Sequence, residues 1–246
     1  MSKMEKDEKQ KLFFSLFYPG CFVALIWVVK ILERVLEDSF VSFGIYPREL
    51  YGLKGILFSP LIHSDFSHLI NNSIPLLILG ACLFYFYRKL AFKVVLISWV
   101  TSGLYTWISA RIGYHIGASG LVYSLFGFLL ISGFLRKNNS LIGISFLVAF
   151  LYGSMVWGIL PWEKGISWEG HLWGFFIGVV LAVFYRRKGP PRKKYSWDFE
   201  EEEEETANEE DEEQGQLAKD IDQGIHNTSS DNSYKEIIYH YREKEK

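Results

Sequence analysis

Residues 119–135 read SGLVYSLFGFLLISGFL, 17 positions without an Asp, Glu, Lys or Arg. The run is Leu- and Phe-rich, too long for an ordinary strand, and shows no strict alternation, so it reads as a helix apolar on every side. Five further runs of the same kind surround it: Phe13–Leu32, His68–Tyr87, Phe92–Ile112, Leu141–Leu160 and Gly170–Tyr185. A bilayer core of about 30 Å takes roughly 20 apolar residues per helical crossing. A water-soluble bundle would need a polar face on each helix, and these runs leave none. The chain therefore reads as an all-α membrane protein of six transmembrane helices. The first run follows a charged head of mixed sign, has no small-residue cleavage site, and is too long for a secretory leader, so a retained helix is expected.

Charge divides the chain. Residues 1–188 carry 18 Lys and Arg against 10 Asp and Glu, whereas residues 189–246 carry 8 against 18, so a whole-chain net charge of −2 hides a basic body and an acidic tail. The expected organisation is a cytoplasmic head over 1–12, a six-helix domain over 13–187, and a tail over 188–246. Pro190-Pro191 ends the last helix, and the acidic runs Glu200–Glu205 and Glu209–Glu213 are too charged to offset their ordering entropy by apolar burial. The tail is expected to be disordered. Its last stretch, Tyr234–Tyr241, reads either as a solvated end or as a short helix on a partner. Lys and Arg near the run ends sum to 15 on the side of the N-terminus and 5 on the other. The positive-inside rule then predicts that both termini are cytoplasmic. The external connection from Glu33 to Ser67 is apolar but broken by Gly and Pro, and reads either as a segment lying in the membrane interface or as a folded external loop. Cys21 and Cys82 lie inside apolar runs and are expected to be buried packing residues rather than a disulfide framework.

Polar side chains inside such runs are costly and need a reason. With a cytoplasmic N-terminus, the second, fourth and sixth runs all enter the membrane from outside, so their first turns share one depth. His68 and Asn72 open the second, Ser119 the fourth, and His171 the sixth. A serine hydroxyl becomes a nucleophile when an imidazole takes its proton, which makes Ser119 and His171 a candidate pair. His68 and Asn72, four residues apart, share a helix face and can donate to an oxyanion, as can the Ser119 N–H at a helix start. Gly170, Gly174 and Gly178 form a small-residue ridge, and Gly120 and Gly127 thin the fourth helix, so these two helices can approach closely. Tyr123, one turn below Ser119, can pack on the His171 ring. No Asp or Glu lies inside a run, which favours a Ser–His dyad over a triad. His115 next to His171 invites a metal reading, but no cluster at ligand spacing accompanies it.

In these residues the sequence resembles the rhomboid family of intramembrane serine proteases: His63-x4-His68-x3-Asn72 at the start of the second run, Gly117-Ala118-Ser119-Gly120 at the start of the fourth, and Gly170-His171 with Gly174 at the sixth. The resemblance spans roughly Phe13 to Tyr185. It implies that Ser119 is the nucleophile and His171 the general base. His68, Asn72 and the Ser119 N–H would line the oxyanion hole, Tyr123 would stand beside the base, and His63 would be structural. It also implies an acyl-enzyme without metal or cofactor, and a short central fourth helix reached from a water-filled cavity. The expected location is the plasma (inner) membrane. The expected partners are the bilayer and single-span membrane-protein substrates, with no nucleic acid; an unknown cytoplasmic partner of the acidic tail stays open. The Trp-Arg pair that many bacterial members carry in the first external loop is missing here, where Tyr46-Pro47-Arg48 stands nearest. Two rivals remain: a non-catalytic relative that escorts membrane clients, which would usually have lost the serine or the base, and a small transporter, which would need a polar path through the apolar midplane.

Overall fold

The computed structural model describes residues 3–162 and 165–189, together with 215, 216 and 219. The acidic runs, Pro190-Pro191 and the Tyr234–Tyr241 stretch lie outside the described residues, as do Lys164, Arg192, Lys193 and Lys194 of the charge comparison. Among the described residues seven α-helices follow one another: α1 (Lys3–Val35), α2 (Gly55–Phe58), α3 (Phe66–Phe86), α4 (Arg88–Ser109), α5 (Ser119–Arg136), α6 (Asn139–Tyr152) and α7 (Trp168–Phe184). Among the described residues there is no strand, only an isolated antiparallel bridge between Ile45 and His115. Helix α1 runs unbroken from Lys3, so the charged residues before Phe13 are its first turns.

Among the described residues five helical segments are long and apolar enough to cross a membrane: Glu5–Val35, Phe66–Phe86, Arg88–Ser109, Ser119–Arg136 and Asn139–Ile159, the last being α6 continued by the 3-10 turn Gly153–Ile159. Helix α7 is apolar but has 17 residues, a length of about 25 Å at 1.5 Å per residue. Phe150, Phe184 and Val35 are 87%, 72% and 71% exposed on the outside of these helices. In water such a surface would aggregate; lipid solvates it. The chain is an integral membrane protein.

Helix α5 is central. Two-thirds of its apolar window (67%) is buried, against 17% for α1 and 11% for the α6 segment. Its tightest neighbour is α7. A Cβ on Gly174 would stand 2.1 Å from the Gly120 carbonyl oxygen, and one on Gly178 would stand 2.1 Å from that of Ser124. The two backbones are thus in direct contact along the predicted glycine ridge, where any side chain would hold them apart. Small polar groups tie the other helices with bonds that hydrocarbon cannot compete for: Ser124 Oγ donates to Ser98 Oγ at 2.6 Å and Ser145 Oγ to the Leu129 carbonyl at 2.9 Å. Cys82 is partly buried, but Cys21 is exposed, which corrects its expected burial. When the solvent is itself apolar, a small apolar side chain on α1 gains little by facing inward.

The connection between α1 and α3 is folded rather than open, with 3-10 turns at Phe40–Phe43, Leu50–Lys54 and Ser59–Leu61 around α2. It is anchored to α4 by Trp99 Nε1 donating to the Ile56 carbonyl at 2.9 Å and Arg48 Nη1 to the Ala110 carbonyl at 2.8 Å.

Candidate active site

Ser119 is the first residue of α5, and the turn that starts the helix places it. Gly117 has φ +106°, a conformation strained for any residue with a Cβ, and its N–H donates to the Ser59 carbonyl at 2.8 Å. As a first-turn residue, Ser119 has a backbone N–H with no acceptor inside its own helix.

His171 sits one turn into α7. Its Nε2 is 2.8 Å from Ser119 Oγ, and its Nδ1 is 2.9 Å from the Gly158 carbonyl oxygen. A carbonyl only accepts, so Nδ1 carries the hydrogen and the neutral ring presents an Nε2 lone pair to the serine hydroxyl. That is the tautomer a general base requires. The Tyr123 ring stacks on His171 with centroids 4.2 Å apart and planes 13° from parallel, while its hydroxyl donates to the Met155 carbonyl at 2.8 Å. Tyr123→Phe keeps the stack and loses one hydrogen bond. We expect it to cost about 1 kcal/mol, read as a fall of a few degrees in Tm, with the His171 ring still in place.

The third helix of the site, α3, is capped by Asp65, whose Oδ1 accepts from the His68 N–H at 2.8 Å. His68 and Asn72 then face a cavity of about 820 Å³ that Ser119, Tyr123 and His171 also line. Asn72 Nδ2 donates to the His68 carbonyl at 3.1 Å, which leaves its second hydrogen for another acceptor. A Cβ on Gly117 would stand 2.7 Å from His68 Nε2 and 3.6 Å from Asn72 Nδ2. The two side chains therefore converge on the turn that carries the serine. Gly117→Ala should strain the turn and push His68 aside. We expect kcat to fall by on the order of 100-fold, together with a lower Tm, because the positive φ disfavours a Cβ.

His63 is 1% exposed and stacks edge-on against His68, with ring centroids 5.0 Å apart. Neither ring nitrogen makes a hydrogen bond of good geometry, although the Leu61 backbone is close enough to favour the charged form. Burial, aided by the His68 ring, pushes its pKa down to about 4. The unfolded chain protonates this residue near 6.5. Stability linked to His63 is therefore complete above pH 6.5 and is lost as the pH falls through about 4. Melting curves from pH 7 to 4 should show that loss, and His63→Phe should flatten it.

His171 Nδ1 is taken by the Gly158 carbonyl, so Glu169 is not its hydrogen-bond partner. Buried at 5% exposure, Glu169 accepts through Oε1 from the Arg111 N–H at 3.1 Å, and its Oε2 is ion-paired with Arg111 Nη1 at 3.3 Å. Arg111 also donates to the Ile166 carbonyl. Both nitrogens of His115 are engaged, Nδ1 with Ser167 Oγ at 2.6 Å and Nε2 with the Arg111 carbonyl at 2.9 Å. Together these contacts fasten the entry of α7 to the α4–α5 loop. Gly170 lies on that entry, and a Cβ there would come 3.0 Å from Ser167 Oγ.

Two sequence comparisons bear on this arrangement. The rhomboid domain model matches residues 48–188, the stretch that holds every residue of the cavity wall named above. An uncharacterized protein of Mycobacterium tuberculosis is 37% identical over 182 residues, covering 70% of this chain and 75% of the relative. One from Mycobacterium leprae is 35% identical over 182 residues, covering 70% and 71%. A Bacillus subtilis protein provisionally named a rhomboid protease is 28% identical over 133 residues, covering 52% of this chain and 65% of its own length. With more than half the sequence inside the domain model and the fold of an apolar helical bundle around Ser119, this chain belongs to the rhomboid family.

Proposed function

We propose that the protein is an intramembrane serine endopeptidase, cleaving peptide bonds in or near transmembrane segments of membrane proteins through a Ser119–His171 dyad. The observation that carries this reading is the 2.8 Å approach of His171 Nε2 to Ser119 Oγ in a ring whose Nδ1 is held by the Gly158 carbonyl. Ser119 Oγ attacks the scissile carbonyl carbon while His171 Nε2 takes its proton. The carbonyl oxygen becomes an oxyanion held by the Ser119 N–H, Asn72 Nδ2 and His68 Nε2. His171 then gives the proton to the leaving amine, an ester on Ser119 remains, and water entering by the cavity hydrolyses it with His171 again as base. None of these steps calls for a metal or cofactor.

In this reading α1, α3, α4, α5, α6 and α7 are the six crossings, both termini are cytoplasmic, and α3, α5 and α7 bring the site to one depth under the outer face. The short α7 fits a helix that starts beneath the surface, beside the water-filled cavity. The membrane is the plasma (inner) membrane, and the substrates are single-span proteins.

The test is cleavage of a panel of single-span reporter proteins by purified protein in liposomes. Cleavage within or beside the reporter's span, lost in Ser119→Ala, supports the reading. A well-folded wild type that binds reporters and cleaves none would instead favour a client-binding relative.

A further inference from the structure

The Ser64 hydroxyl lies 2.6 Å from Asp65 Oδ2 and donates to it. A carboxylate only accepts, so this contact uses the single hydroxyl hydrogen. Ser64 Oγ also lies 3.2 Å from His68 Nδ1. With its hydrogen spent, Ser64 can only accept there, and the hydrogen of that contact belongs to Nδ1. A neutral imidazole has one ring hydrogen; with it on Nδ1, Nε2 offers only a lone pair. Yet Nε2, with Cε1 beside it, is turned toward the Gly117 turn, and the ring lines the cavity. A lone pair facing an oxyanion would repel it.

We propose that His68 serves the oxyanion as an imidazolium, with Nδ1–H on Ser64, Nε2–H on the developing negative oxygen, and Asp65 as the counter-charge acting through Ser64. The proposal rests on Ser119 being the nucleophile. Ser64 and Asp65 are then positioning residues, which fix the protonation state of the oxyanion donor without touching substrate. No proton moves between them during the reaction: His68 takes its second hydrogen from cavity water before attack and keeps both throughout.

The surrounding charges leave this task to Asp65. From α1, Lys30 is paired with Glu33 at 2.6 Å and also donates to the His63 and Ser64 carbonyls, both at 2.9 Å. From the α4–α5 loop, Arg111 is paired with Glu169, and His115 lines the same cavity. His63 packs on the His68 ring, and α7 contributes His171 across the cavity. From α5 come only the uncharged Ser119 and the Val122 and Tyr123 side chains. Asp65 is in no ion pair among the described residues. Its bonds from the Ser64 hydroxyl and the His68 N–H hold its carboxyl below the usual range, so it stays an acceptor.

The experiment is nitrogen NMR of the full-length protein in nanodiscs with 15N-labelled histidine, the His68 signals being assigned by their loss in His68→Asn. In resting wild type, Nδ1 is expected to carry a hydrogen. After a fluorophosphonate probe has modified Ser119 and placed a phosphoryl oxygen in the oxyanion site, both ring nitrogens should be protonated. Asp65→Asn keeps the cap, since Asn caps a helix as well as Asp, but removes the charge. In its adduct the doubly protonated signature should be lost at the same pH. Ser64→Ala should lose it as well, and both variants should lower kcat on the order of tenfold with KM unchanged. A resting ring protonated at Nε2 alone, or a wild-type adduct with one ring hydrogen, would overturn the proposal. Should Ser119 take no probe, the protease reading falls and the oxyanion role with it, whereas the resting ring still reports whether the Ser64 relay exists.

Discussion

Ser119→Ala is expected to lower reporter cleavage by at least about three orders of magnitude, and His171→Ala by a similar factor, with the double variant no worse than either single one. The non-additivity is the informative part. Two residues that form one proton-transfer unit fail together, because a nucleophile without its base and a base without its nucleophile leave the same residual catalysis from oxyanion donors and substrate binding. The 2.8 Å contact between the two side chains is the reason to expect such a unit. Neither substitution should disturb the fold. Ser119 lies at the open start of α5, and truncating His171 removes one stacked ring and the bond to Gly158 while the glycine contact below it is untouched. Initial rates in liposomes, paired with thermal melts of each variant, separate loss of chemistry from loss of structure.

Gly174→Ala should be the most damaging substitution outside the reacting groups. The added Cβ would stand 2.1 Å from the Gly120 carbonyl oxygen and 3.2 Å from the Gly120 Cα. The obstacle is backbone, so no rotamer change relieves it, and α7 must move away from α5 by more than 1 Å. Overpacking of this kind costs on the order of 1–3 kcal/mol, partly offset by the roughly 1 kcal/mol that Ala gains over Gly in a helix. Activity should suffer more than stability. His171 rides on α7 one turn above this contact and Ser119 on α5, so separating the helices stretches the dyad. A misplacement of about 1 Å can cost on the order of 100-fold in rate. Gly178→Ala, which meets the Ser124 carbonyl at 2.1 Å one turn further from the site, should destabilise similarly and reduce kcat less. Equal losses of kcat in the two variants would mean that the ridge sets stability without aiming the base.

Much of this architecture is legible in the amino-acid order because the bilayer imposes a coarse rule. Long apolar runs become helices, and polar residues at their mouths stand out against them. Ser119, His171, His68 and Asn72 could be grouped from the parity of the runs alone, and all four line one cavity; the Gly170, Gly174 and Gly178 spacing marked the face where α7 meets α5. What stayed hidden has a common cause: backbone groups and long-range partners carry no signal at a single position. The carbonyl of Gly158 sets the His171 tautomer, yet nothing in the sequence distinguishes that glycine from its neighbours. Arg111 and Glu169 are 58 positions apart, and no local spacing links them. Asp65 was within reach, since an Asp immediately before an apolar run is a helix-start signal; its hydroxyl partner Ser64 was not. Cys21 was misplaced because burial inside a membrane bundle is decided by packing rather than by polarity.

The most direct measurement is mass-spectrometric mapping of the adduct formed when a fluorophosphonate reacts with the purified protein in liposomes. A single adduct on Ser119, absent in His171→Ala and undiminished in Cys21→Ala, is the predicted result. No adduct on Ser119 in a folded wild-type sample, or one that forms equally well without His171, would contradict an imidazole-activated serine at the mouth of α5.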